Sequence, residues 1–189
     1  MLLSKDEMED MASQLRSDLG LKPDQSLDPL RLKIEGVEIL PVTLVKNFDK
    51  KLIAFLTGEA AKRWSAMSVP IDASQERWVI VYNNSHEKRR QNVSVLEEIW
   101  HILQGHRLTR IVKVGPKHSR TFEADEEHDA YYLAAATMLP REAVDEMLKK
   151  KRSADDVGNK YGVSRELVEY RIKRLGYWYL YKNRKVSLT

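Results

Sequence analysis

Three residues on one predicted helix, Glu97, Glu98 and His101, have the types and spacing for metal-assisted hydrolysis. In the H-E-x-x-H pattern two imidazoles four residues apart face the same way and hold zinc. The glutamate after the first activates the attacking water. Here the stretch reads Glu97-Glu98-Ile99-Trp100-His101, followed by Gly105-His106, so a carboxylate stands where the first imidazole would be. Carboxylate oxygen and imidazole nitrogen both coordinate divalent metals, and one helical turn presets the pair. Glu98 is then the general base. The plainer reading of Glu97 and His101 is an ion pair along a helix.

The helix that must position these groups is expected from about Asn92 to Gly105, with Leu96, Ile99, Trp100 and Leu103 as its buried face. Before it the chain reads as a helix over Lys5 to Leu19, with Met8, Met11, Leu15 and Leu19 on one face. A short helix starts at Pro29 behind an Asp28 cap and stops at Gly36. Strands are expected at Val37 to Val42, Ser65 to Ile71 and Arg77 to Tyr82, with a helix at Phe48 to Thr57. After it comes a helix over Glu123 to Leu139, with Ala130, Leu133, Ala134, Thr137 and Met138 inward, Asp129 at the margin and Pro140 as terminator. Glu126, Glu127 and His128 read as a solvated face, and His86 and His118 as exposed loop residues.

Ser153 to Leu175 reads as two short helices broken at Tyr161-Gly162-Val163-Ser164, followed by Tyr177 to Tyr181 as a terminal aromatic strand. The whole is an α+β protein: a core over residues 1–150 and a helix-turn-helix-like subdomain over 151–189, divided at the basic run Lys149-Lys150-Lys151-Arg152.

Composition narrows the chemistry. The 189 residues contain no cysteine, which excludes disulfides, thiolate metal sites and a cysteine nucleophile. Met1 to Glu7 turns acidic too early for a secretory signal, and no apolar run approaches the roughly 18 residues of a membrane span. A cytoplasmic chain without membrane contact is expected. The net charge of +4 is uneven: residues 141–189 carry 13 Lys and Arg against 7 Asp and Glu, so the rest is slightly acidic.

Four segments in order resemble the ImmA/IrrE family of metallo-endopeptidases, whose core is a minimal zincin. They are the strand running into Asn83-Asn84-Ser85-His86 with Arg89-Arg90-Gln91, then Leu96 to His106, Glu127 to Pro140, and Tyr161 to Gly176. The resemblance implies that Glu97 stands at the first histidine ligand, Glu98 at the catalytic glutamate, His101 at the second ligand and Asp129 at the third, normally glutamate. It implies a divalent metal, zinc first, with manganese or iron as alternatives because the donor set is rich in oxygen. It also implies a helix-turn-helix repressor as the protein partner to be cleaved. In such a site an edge strand of the sheet is expected to hold substrate extended, and His106 to pack or orient a neighbour rather than bind metal. The alternative is a catalytically silent member acting as a protein- or DNA-binding regulator.

A DNA-binding reading would use the helix after the Gly162 turn, with Arg165, Arg171, Lys173 and Arg174 offered to phosphates. Glu166 and Glu169 interrupt that charge, Glu169 can pair with Lys173, and the competing reading is a helical subdomain packed on its neighbours.

Overall fold

In a computed structural model of the chain, residues 3–46, 48–72, 77–106, 111–114, 117–120 and 124–183 are described. Phe48, expected to open a helix, instead precedes the Asp49 cap of one, and Glu123, expected to open another, lies outside the described residues. The described residues form an α+β arrangement of eight α-helices, a three-stranded sheet and a two-stranded hairpin. They divide into two compact units, Pro29–Tyr131 and Leu3–Asp28 with Tyr132–Thr189.

The first unit is built on strands β1 (Val37–Pro41), β2 (Ala66–Asp72) and β3 (Arg77–Tyr82) in the order β1-β3-β2. β1 runs parallel to β3, pairing Ile39 with Ile80, and β2 runs antiparallel, pairing Ser68 with Ile80. β2 is thus an edge, and Pro70 is tolerated there because an edge strand has unpaired positions; the register shifts between Pro70 and Asp72. Helix α2 (Lys50–Thr57) is capped by the Asp49 carboxylate, which accepts from the Leu52 N–H. The hairpin is β4 (Ile111–Val114) with β5 (Lys117–Arg120), an element that no periodicity in the sequence announced; the His118 side chain lies outside the described residues.

Helix α3 (Lys88–Leu103) packs on β2, β3 and the short 3₁₀ turn Pro29–Arg31. It starts a turn earlier than expected, since Lys88 to Gln91 are good helix formers. Val95, Leu96, Ile99 and Trp100 are buried with Ile80 and Val42. Leu103, expected in that face, is exposed. Gly105 takes a left-handed φ of 62°, which lets the His106 N–H reach back to the His101 carbonyl at 3.0 Å and close the helix. His86, expected to be exposed, is half-buried with Nε2 3.0 Å from the Trp64 carbonyl.

Helix α4 (Ala124–Met138) carries the division between the units. Its residues from Tyr132 on are buried all round, so the apolar stripe expected there widens to a full circumference. Around it in the second unit stand α1 (Lys5–Asp18), α5 (Arg141–Lys149), α6 (Ala154–Tyr161), α7 (Arg165–Arg174) and α8 (Trp178–Asn183). Ser4 and Glu7 form a capping box on α1, and Ser153 and Ser164 cap α6 and α7. Between those two, Gly162 turns the chain at φ 67°, and Gly158 lies so close beneath the turn that a Cβ would meet the Val163 carbonyl at 2.8 Å.

The core of this unit contains paired charge. The buried face of α1 is Met8, Glu9, Ala12 and Arg16 rather than the all-apolar stripe expected; Met11, Leu15 and Leu19 are only half-buried. Glu9 accepts a two-pronged bond from Arg171 at 2.7 and 2.8 Å and a third from the Tyr132 hydroxyl at 2.6 Å. Arg16 donates to the carbonyls of Thr137, Lys22 and Gln25. Such groups survive burial because nearly every donor and acceptor is met. Tyr177 to Tyr181, expected as a strand, instead leads into α8: no strand edge in this unit receives it among the described residues, and i, i+4 bonding satisfies its backbone locally.

Candidate metal centre

Helix α3 sets Glu97 and His101 one turn apart, and the first turns of α4 bring Glu127 to them. One donor atom from each of these three side chains falls within 4.8 Å of the others. His101 Nε2 is 3.6 Å from Glu127 Oε1. The other nitrogen, Nδ1, is 3.0 Å from Nδ1 of His106, the residue returned over His101 by the Gly105 turn. In the tautomer that leaves Nε2 unprotonated toward the carboxylates, Nδ1–H donates to Nδ1 of His106, which orients the ring.

The electrostatics are those of a site lacking positive charge. Burial, followed by the neighbouring carboxylates of Glu127 and Glu98, pushes the Glu97 carboxyl up from 4.5 to about 8. Burial and then His106 pull the His101 imidazole down from 6.5 to about 4. At neutral pH Glu97 is largely protonated and His101 neutral. A cation among these groups would reverse the penalty on Glu97 and find His101 already in its ligating form. Two carboxylate oxygens and one imidazole nitrogen therefore suit a divalent metal ion.

Glu98 is held from the sheet: Ser68 on edge strand β2 donates both its backbone N–H and its hydroxyl to Glu98 Oε2, each at 2.8 Å. The glutamate that follows the first donor is thereby tied to the strand on which an extended peptide could pair.

Not every residue marked in the sequence arrives here. Asp129 is buried, its carboxylate 3.2 Å from His128 Nδ1, and it is not among the three converging groups. Two positions along a helix turn a side chain by about 200°, so residues 127 and 129 cannot both face His101. Glu127, read from sequence as solvated, stands in the cluster. The signal that could have found it was its type, since the resembled family's third ligand is normally glutamate. Ser68 had no sequence signal. Of the four cations offered to DNA, Arg171 is wholly buried against Glu9 and the Leu139 carbonyl and is closed to phosphates. Arg165 pairs with Glu169 at 3.0 Å and Asp155 at 3.3 Å, so Glu169 joins Arg165 rather than Lys173. Lys173 and Arg174 lie over the rings of Trp178 and Tyr170.

Among the described residues no helix is long and apolar enough to cross a membrane. Residues 60–173 match the IrrE N-terminal-like domain of peptidase family M78. A solved structure titled Mycobacterium tuberculosis transcriptional regulator is similar to 90% of this chain at a TM-score of 0.55 and 15% identity, a likeness of fold. The chain spans 47% of that structure's length. No curated protein matches.

Proposed function

Because the chain belongs to the IrrE N-terminal-like peptidase family, we propose that it is a divergent metal-dependent endopeptidase that cleaves a regulatory protein such as a helix-turn-helix repressor. The observation that carries the proposal is the convergence of Glu97, His101 and Glu127 beside Glu98. With Glu127 as the third donor, one ligand position departs in type from the resembled family, Glu97 for histidine, where the sequence alone suggested two.

Glu97, His101 and Glu127 would hold the ion, and His106 would orient His101 from behind. When bound, a divalent ion supplies Lewis acidity to the scissile carbonyl and lowers the pKa of the attacking water. Glu97 and Glu127 together offset its charge, which lessens that acidity and widens the choice from zinc to manganese or ferrous iron. Glu98 accepts the proton of the attacking water and passes it to the departing amine, with Ser68 fixing one of its two oxygens. The edge of β2 would receive the substrate as an added strand, so that the base and the bound peptide share one scaffold.

The reading is tested by elemental mass spectrometry and a repressor-cleavage assay on the whole chain. Stoichiometric metal, lost in Glu97→Ala/His101→Ala, with cleavage abolished but metal retained in Glu98→Gln, is the expected pattern. Cleavage surviving Glu98→Gln would remove Glu98 from the chemistry. Metal with no cleavage of candidate repressors would leave a silent regulator that binds its partner without cutting it.

A further inference from the structure

The end of α7 and helix α8 carry an aromatic and cationic surface that the metal centre does not use. The Lys173 ammonium lies 4.5 Å from the centre of the Trp178 ring and that of Lys182 lies 5.2 Å from it. Arg174 stands 5.2 Å from the Tyr170 ring, and the Trp178 and Tyr181 rings are 5.6 Å apart, tilted by 30°. Cation–π pairs occur about once per 70–80 residues in folded chains. Three within residues 170–182 mark this as a concentrated patch.

Two ammonium groups over one indole lie no farther apart than roughly a Debye length of 10 Å at 0.1 M salt, so they repel each other. Neither has a carboxylate in ion-pair range among the described residues, and Glu169 is engaged by Arg165. From Arg171 to Lys182 the chain carries four cations and no acid, and Arg171 is buried against Glu9, which leaves Lys173 and Lys182 as the exposed charge of this stretch. Beside them Tyr179 is 77% exposed and Leu180 57%. Exposed ring, flanking cations and missing acid together fit a polymer that has both phosphates and flat apolar faces.

We propose that Lys173, Trp178, Tyr179 and Lys182 form a platform that binds single-stranded nucleic acid, lysines on phosphates and the Tyr179 ring stacked on a base. Unpaired bases expose the faces that a ring can stack on, whereas a duplex hides them. The duplex-reading alternative would have used Arg171 on α7, which is buried.

The experiment is fluorescence anisotropy of a labelled oligodeoxythymidine of about 20 nucleotides, longer than the site size of such platforms, titrated with the full chain at several salt concentrations. Tight binding at low salt that weakens as salt rises is expected. Lys173→Gln/Lys182→Gln should lower affinity by about tenfold or more and reduce the salt slope by roughly 1.4, because each lysine withdrawn from a phosphate removes about 0.7. Tyr179→Ala should lower affinity by about fivefold or more with the salt slope unchanged, since one base then has no ring to stack on. The charge-matched control is Lys149→Gln/Lys151→Gln, both exposed, which should bind as wild type. The proposal is overturned by absence of binding at 50 mM salt, by equal losses in the two lysine pairs, by an unaffected Tyr179→Ala, or by a duplex of the same length bound as tightly as the single strand. Thermal unfolding of each variant checks that the fold is kept. None of these residues belongs to the metal centre, so either outcome leaves the peptidase reading to its own test.

Discussion

Replacing Glu97 by glutamine should stabilise the metal-free protein at alkaline pH and do so less than half as much at pH 5. The Glu97 carboxyl sits at about 8 in the folded chain against 4.5 in its ordinary state. Between those values the folded form keeps a proton that the unfolded form has released, so stability falls as pH rises through that window and the full penalty is present above about 8. At about 1.4 kcal/mol per pH unit the ceiling is roughly 5 kcal/mol. The side chain is half-buried rather than sealed, and solvent relaxation around the ionised form reduces the expected penalty to about 2 kcal/mol, or roughly 4–8 °C in Tm for a chain of this size. The assay is thermal unfolding by circular dichroism of wild type and Glu97→Gln, both stripped of metal, at pH 5 and pH 8.5. Glutamine keeps the volume but cannot ionise, so the variant should gain those degrees at pH 8.5 and less than half as many at pH 5. Zinc added at a hundredfold over its Kd should then return about 2.7 kcal/mol to wild type and much less to the variant. A variant destabilised at pH 8.5 without metal, or shifted equally at both pH values, would refute the charge-deficient site.

The remaining predictions concern the third donor, the imidazole and the buried pair of the second unit. Glu127→Gln should weaken zinc binding in calorimetry by at least about tenfold while Asp129→Asn leaves it within about twofold; the reverse order would restore Asp129 as ligand. Because His101 titrates at about 4 instead of 6.5, the unfolded chain takes up a proton first as pH falls. The His101 contribution is therefore lost from about pH 6.5 down to 4, against what Glu97 regains over the same window, so His101→Asn should gain stability relative to wild type as pH falls from 6.5 to 4 in urea titrations. Glu9→Ala leaves the Arg171 guanidinium buried without its carboxylate and should cost about 3–5 kcal/mol in chemical denaturation. Glu9→Leu/Arg171→Met should recover most of that loss.

How far the fold and the site could be read in advance depended on the range of the interactions involved. The bounds of β3 and the break at Gly162 were legible because each rests on residues within a few positions. The aromatic run Tyr177 to Tyr181 was misread because alternating large residues suit a strand, yet a strand needs a partner edge and α8 does not. The α1 face was misread because paired charges at Glu9 and Arg16 can be buried, which no periodicity of apolar residues announces.

By itself the sequence determined the chemistry on offer: a glutamate and a histidine one turn apart on a helix, a second glutamate beside them, no thiols, and a basic C-terminal quarter. Those are local properties, set by residue type and the pitch of one helix. Only the tertiary structure decided which acid of α4 turns to His101, that Ser68 thirty positions earlier grips Glu98, and that Arg171 spans 162 positions to Glu9 and so is closed to any nucleic acid. The rotation of one helix about its axis and the partner available to a charge are fixed by what packs against them, and that information is spread across the chain rather than written at the residue concerned.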